Sequence, residues 1–159
     1  MTSLVSAAWP ELALQHYEIT RSYCPGDYDL SVDGLKIAGI AQRRSTNALV
    51  TMLYLSVTGD QPMRGALIRS FYRAGLADHT NDWHFPDVDP AVMTTTAALC
   101  NQPLTVGDAQ DRFLTACSTA GLRVGRAKLA AMMTEPQFTT VLKRETAQMT
   151  RRQPRLVDM

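Results

Sequence analysis

The stretch 22–44, SYCPGDYDLSVDGLKIAGIAQRR, constrains the fold more than any other part of the chain. Tyr28, Leu30 and Val32 alternate with Asp27, Asp29 and Ser31, the period-two pattern of a half-buried strand. Asp33-Gly34 supplies a two-residue hairpin turn, so Leu35 to Gln42 returns as the partner strand. Cys24 precedes Pro25-Gly26, a pair that forces a tight bend and keeps the cysteine out of regular pairing, exposing its sulfur. Lys36, the first lysine of the chain, stands near the start of the returning strand, and none follows until Lys128. In this register Lys36 faces Ser31, while Cys24 lies seven residues further back, about 23 Å along an extended strand. A plain hairpin keeps the two apart. They meet only if residues 23–27 fold back over the sheet.

The flanking sequence extends the sheet and adds helices. Leu14 to Tyr23 also alternates and reads as a first strand, with His16 on its polar side or, alternatively, a candidate base. Ala48 to Val57 reads as a buried strand ended by Thr58-Gly59-Asp60. Pro62 falls in the first turn of a helix with a buried stripe of Leu67, Ile68, Phe71 and Tyr72 and a stop at Gly75. Residues 1–13 form a short helical or irregular lead-in whose Trp9 needs a partner surface. Pro90 opens a helical part, with one short helix through Val92, Thr96 and Leu99. A second runs from Thr105 to Ala120, lined by Ala109, Phe113, Leu114 and Cys117. Two more cover 128–133 and 136–149. The fold class expected is α+β, a small antiparallel sheet with a packed helix followed by a helical C-terminal part. The organisation expected is 1–87 for sheet and helix, 88–150 for the helical part and 151–159 for a polar tail.

Composition excludes several functions. A formal charge of +1 gives no field to steer nucleic acid or membrane lipid, and the basic run from Lys143 to Arg155 reads as a solvated helix end. No apolar run approaches the roughly 20 residues of a membrane span. Three cysteines cannot all pair within the chain and match no zinc spacing; Cys100 and Cys117 read as small core residues. A reducing compartment fits, so a cytoplasmic protein is expected. His79, Asp82, His84, Asp87 and Asp89 cluster in a loop-like run, but their spacing promises no fixed ligand geometry, and no metal is expected. No glycine loop of the P-loop or dinucleotide type occurs.

Three runs, Ser22-Tyr23-Cys24-Pro25-Gly26, Tyr28-Asp29-Leu30-Ser31 and Lys36 through Arg44, together resemble the biotinyl/lipoyl protein ligase superfamily. Within it they are most similar to the octanoyltransferases that move an acyl group from the glycine cleavage H protein to other lipoyl domains. The resemblance covers the second half of that fold. It implies that Cys24 becomes acylated and that Lys36 assists. Gly26, Gly39 and Gln42 are candidate substrate contacts: Gly39 either lets the acyl group approach or marks a bulge, and Gln42 either bonds near the carbonyl or ends an exposed strand. The partners implied are lipoyl-domain proteins such as the glycine cleavage H protein and E2 subunits. The octanoyl or lipoyl group is the substrate, and no cofactor is needed because the acyl group passes from amide to thioester to amide.

A thiolate is the nucleophile in such chemistry, and a neighbouring ammonium both stabilises it and serves as acid and then base. Members of the family are about twice as long and carry, ahead of this region, an Arg-rich and Gly-rich loop that lines the acyl pocket. The pocket here is therefore expected to need completion by a partner chain or by self-association. Otherwise the sheet keeps an open edge and an apolar face. The alternative expectation is a non-catalytic binding module or accessory half that docks lipoyl domains or a partner chain.

Overall fold

At Asp33 and Gly34 the backbone takes φ of 49° and 80°, the positive pair that a type I′ turn requires and that Asp-Gly accommodates. This turn joins β2 (Leu30–Val32) to β3 (Leu35–Arg44) in the computed structural model, which describes residues 1–46, 49–76, 86–123 and 129–152. Antiparallel pairing in the order β1-β2-β3-β4 adds β1 (Gln15–His16) on one side and β4 (Leu49–Leu55) on the other. Ser31 pairs with Lys36, the expected register, but Leu30 pairs with Ala38, so Ile37 is an extra residue on β3. Such a bulge re-aims the side chains beside it.

The first strand is shorter than the alternation of 14–23 predicts. After His16 the chain leaves the sheet because the Asp29 carboxylate takes the Ile19 amide, and Ser22 N donates to Ile19 O in a turn. A second difference lies in β4, which is an edge strand rather than a buried one. Only Leu53 and Leu55 pack on the core, while Val50, Met52 and Tyr54 alternate onto an uncovered face, 54%, 60% and 44% exposed.

Helix α1 (Thr2–Ala8) and helix α4 (Val106–Thr119) pack together on the inner face of the sheet. Val5, Ala8, Trp9, Leu30, Ile37, Ala38, Val57, Leu104, Ala109 and Ala116 form the core. Trp9 is fully buried there, so the surface it needs lies within this chain. Thr105 caps α4 through a reciprocal box with Asp108, as the opening threonine predicts. Asp108 accepts from the Thr105 amide and hydroxyl, which lowers its pKa.

Helix α2 (Gln61–Leu76) packs its Gly65 side on the 3₁₀ turn Pro90–Val92, and α3 (Thr96–Leu99) follows that turn. A Cβ on Gly65 would come within 2.9 Å of the Pro90 Cα and the Met93 Cε. Leu67 and Phe71, expected in a buried stripe, are instead 66% and 68% exposed. With Met63 they form an apolar row on the side of α2 turned away from that contact.

These elements belong to one compact unit, Met1–Arg123; a second, Val124–Met159, contains α5 (Leu129–Thr134) and α6 (Pro136–Arg152). No helix among the described residues is long and apolar enough to cross a membrane. His79, Asp82 and His84 lie outside the described residues. Asp87 and Asp89 pair with Arg21. Among the described residues no cluster of three His, Cys, Asp or Glu side chains is placed to hold a metal.

Candidate active site

The Asp29 carboxylate organises the site. It is 1% exposed, and its Oδ2 accepts from the backbone amides of Ile19 and Gly26 at 3.2 and 3.3 Å. Two points seven residues apart in sequence are thereby tied to one side chain at the head of β2. The segment between must close over the sheet, which is the fold-back that a plain hairpin lacks. Oδ1 of Asp29 takes the Lys36 ammonium at 2.9 Å, with Lys36 itself only 4% exposed. A buried carboxylate survives in such a place because both its oxygens accept hydrogen bonds and its charge is paired.

Lys36 reaches upward into the closed loop. Its Nζ donates to Ser22 Oγ at 3.0 Å, to the Tyr23 carbonyl at 3.2 Å and to the Cys24 carbonyl at 2.9 Å. The ammonium is thus bound to the backbone that carries Cys24 rather than to its sulfur. Cys24 is exposed, and its φ of 48° lies in the left-handed region that a non-glycine residue occupies at an energetic disadvantage. Among the described residues no packed layer covers Cys24. Loop, lysine and carboxylate form one polar unit on the outer face of the sheet. The backbone of Lys36 is held from the far side as well, with Thr94 N donating to its carbonyl at 2.9 Å beside the bridge to Met93.

Of the five residues read from sequence, four share this site. Gly26 anchors the loop through its amide. Gly39 lies under the ion pair: a Cβ there would stand 3.7 Å from Asp29 Oδ1 and 3.9 Å from Lys36 Nζ, so the missing side chain leaves a hollow beside both. Gln42 is not brought to the group. Strand alternation places it with Ile40 on the opposite face, where its amide donates to Thr51 and accepts from Arg44, beside a cavity of about 310 Å³ lined by Met1, Thr2, Tyr28 and Ile40.

Sequence reading missed Asp29, which looked like the polar member of an alternating strand, and also Ser22, Tyr23, Tyr54, Ser56 and Gln61. Tyr54 pairs with Gly39 across β3 and β4, and its hydroxyl lies 2.7 Å from that of Tyr23. Gln61 Nε2 donates to Tyr23 Oη at 2.8 Å, and Ser56 Oγ donates to Gln61 Oε1 at 3.3 Å. Burial and the bond with Tyr54 push the Tyr23 phenol up to about 12, against the opposing bond from Gln61, so Tyr23 stays protonated at neutral pH. Only the residue types gave a signal here, since hydroxyls and an amide at 23, 54, 56 and 61 carry no shared spacing.

The other cysteines lie elsewhere. Cys117 is buried in the α4 packing. Burial and the neighbouring Glu11 raise the pKa of Cys100, which makes it a poorer nucleophile. The groove between α1 and α4, about 600 Å³, is lined by Asp108, Asp111, Arg112 and Thr115 and includes none of the residues around Lys36.

Comparison with known proteins matches the sequence that builds this site to a family. The lipoyl protein ligase A/B catalytic domain matches residues 7–118, which include every residue of the site. An octanoyl-[GcvH]:protein N-octanoyltransferase of Oceanobacillus iheyensis is 43% identical over 116 residues, 72% of this chain and 42% of the relative. Its namesake in Lysinibacillus sphaericus is 42% identical over 108 residues, 67% of this chain and 39% of the relative. That of Bacillus velezensis is 38% identical over 136 residues, 82% and 47% respectively. The chain therefore spans 39% to 47% of the length of these curated relatives. With the family match covering residues 7–118, the chain belongs to the lipoyl protein ligase A/B catalytic domain family.

Proposed function

We propose that this chain carries the nucleophile of an acyl amidotransferase, moving an octanoyl or lipoyl group between lysines of lipoyl-domain proteins through a thioester on Cys24. The single observation that supports this most is the ammonium of Lys36 bound to the Cys24 carbonyl at 2.9 Å, with the thiol itself open. The Lys36 ammonium is thereby fixed beside the residue that bears the nucleophile, where it can hand a proton to a departing amine. The Cys24 thiolate attacks the acyl carbon of the donor amide, forming a C–S bond, and the carbonyl electrons move to oxygen. Collapse of this intermediate breaks the C–N bond, and the departing lysine amine takes a proton from Lys36. The amine of an acceptor lysine then attacks the thioester, gives its proton to the now neutral Lys36 and releases the thiolate. Protons balance over the cycle, so no nucleotide or cofactor is consumed.

The acyl chain has an apolar surface to follow from this point. On the same face as Gly39 lie the exposed cross-strand pair Ala41 and Met52 and, next along β4, the exposed Val50 opposite Arg43. Donor and acceptor would be lipoyl-domain proteins such as the glycine cleavage H protein and E2 subunits; the relatives are octanoyl-[GcvH]:protein N-octanoyltransferases, which supports the first of these. Mass spectrometry of the intact chain after incubation with an octanoylated lipoyl domain tests the proposal. The expected result is one octanoyl group on Cys24, lost when acceptor domain is added. No adduct on the wild-type chain, or an adduct that survives Cys24→Ala, refutes it.

A second reading is favoured by one observation, the apolar row of Met63, Leu67 and Phe71 together with the open edge of β4. Under it the chain is a binding module, or one part of an assembly, whose partner chain or second copy covers these surfaces. Light scattering separates the two: a monomer that still forms the thioester supports catalysis by the chain alone, and a dimer or captured partner supports the assembly.

A further inference from the structure

The hydrogen bonds beside Lys36 have a direction. Ser56 is fully buried and Gln61 is 3% exposed, so the polar atoms of both need partners inside the protein. Ser56 Oγ donates to Gln61 Oε1, which leaves the Gln61 amide nitrogen to donate to Tyr23 Oη. Tyr23, Tyr54, Ser56 and Gln61 line, with Lys36, Ile37 and Met93, a crevice too tight to admit water. Tyr23 Oη accepts from Gln61, and its own proton then has one acceptor among the described residues, Tyr54 Oη at 2.7 Å. The reverse direction would turn the Tyr23 proton away from the one protein acceptor the described residues offer it, with Gln61 already donating to the same oxygen. The raised pKa of Tyr23 agrees with its role as the donor of this pair. The chain therefore runs from Ser56 through Gln61 and Tyr23 to Tyr54, and it ends on a hydroxyl whose proton is free to point outward.

The place where that proton points is defined by strand pairing. Tyr54 is the cross-strand partner of Gly39, and the hollow over Gly39 is bounded on its other side by Lys36, whose ammonium carries the Cys24 loop. We infer that the Tyr54 hydroxyl is a further catalytic residue, receiving the carbonyl oxygen of the acyl donor as Cys24 attacks it. This rests on the acyl-transfer reading above. In the step, sulfur bonds to the acyl carbon and the carbonyl electron pair moves to oxygen. Tyr54 O–H donates a hydrogen bond to that oxygen and keeps its proton, while Tyr23, Gln61 and Ser56 hold its lone pair occupied and its orientation fixed. When the intermediate collapses the pair returns to carbon, so Tyr54 is unchanged over the reaction.

Two reagents on the full-length chain separate this role from any effect on the thiol. p-Nitrophenyl octanoate acylates Cys24 through an oxyanion, whereas iodoacetamide alkylates it without one. Tyr54→Phe is expected to slow acylation about 10- to 100-fold, the lower part of the range for loss of one oxyanion donor because Tyr54 is 44% exposed, and to leave alkylation within twofold. Tyr23→Phe should slow acylation less, since it loosens Tyr54 without removing it. Equal acylation by wild type and Tyr54→Phe overturns the inference and leaves the Cys24 reading intact. Equal loss of both reactions overturns it too, because Tyr54 then acts on the thiol or the fold. A wild-type chain that alkylates but never acylates at Cys24 refutes the acyl-transfer reading itself.

Discussion

Replacing Asp29 by asparagine should be far more damaging than its size suggests, and the geometry says why. Both carboxylate oxygens accept: Oδ1 from Lys36 at 2.9 Å, Oδ2 from the amides of Ile19 and Gly26. An asparagine has one accepting oxygen and one donating NH2 group. In either orientation the NH2 meets a donor, the ammonium on one side or two backbone N–H groups on the other. The ammonium meanwhile keeps three neutral acceptors but loses its counter-ion at a site 4% exposed. Removing one member of a buried pair costs about 3–5 kcal/mol, and the forced donor–donor contact places Asp29→Asn in that range. Lys36→Met should cost about 3 kcal/mol, because Oδ2 of Asp29 keeps its two amides while Oδ1 and the loop carbonyls lose theirs. In the double variant the asparagine NH2 can face the methionine, so the donor–donor contact disappears. The double variant should then be about 2–3 kcal/mol more stable than the sum of the single losses implies. Urea midpoints of the four proteins measure this, with near-ultraviolet circular dichroism as the readout. Additivity within about 0.5 kcal/mol, or an Asp29→Asn loss under about 1 kcal/mol, would show that the pair does not hold the loop as argued.

Other positions give independent checks. Cys24→Gly should be about 1 kcal/mol more stable than Cys24→Ala in thermal unfolding, since only glycine adopts φ of 48° freely; equal stabilities would mean that the loop relaxes. Gly65→Ala should lose about 1–3 kcal/mol, because its Cβ meets the Pro90 Cα, which cannot turn aside as a flexible side chain can; an unchanged melting temperature refutes that packing. The Arg112 guanidinium holds the Glu11 carboxyl below its ordinary 4.5, so the pair's contribution is present above that pH and is lost as pH falls through the lowered value. Glu11→Gln should therefore flatten the acid limb of the stability curve below pH 4.5 while costing under about 1 kcal/mol at neutrality, as half-exposed pairs do. An unchanged acid limb would remove Glu11 from that account.

The sheet was readable because its signals are local. Asp33-Gly34 fixes both turn and register, and Thr105 marks the start of α4. The site was readable only in its ends, Cys24 and Lys36. What joins them is a carboxylate that bonds backbone ten residues upstream, and nothing in the alternation of 27–32 distinguishes Asp29 from a solvated neighbour. The bulge at Ile37 is equally silent, although it helps to bring Lys36 and Gly39 to one side. Gln42 failed to join them for the converse reason: three residues beyond Gly39, period-two alternation puts it on the other face. The exposed row on α2 shows a further limit, since helical spacing identifies an apolar face but not what, if anything, packs against it.

The two kinds of surface at this site do different physical work. The polar part is complete within the chain: Asp29, Lys36, Ser22, Tyr23, Ser56 and Gln61 satisfy one another, so the geometry around Cys24 exists before any substrate arrives. The apolar part is a single open wall, Ala41, Met52 and Val50, without a second layer among the described residues. Each methylene removed fully from water contributes about 0.8 kcal/mol, so the six by which an octanoyl group exceeds an acetyl group are worth about 5 kcal/mol in an enclosed slot and about half that on one wall. At 1.4 kcal/mol per factor of ten, that difference separates a preference of several thousandfold from one below a hundredfold. Under the acyl-transfer reading, then, the residues that fix the reaction and those that fix chain length are separable. A layer placed over Met52 and Val50 would raise selectivity for long acyl groups and leave the position of the thiol unchanged.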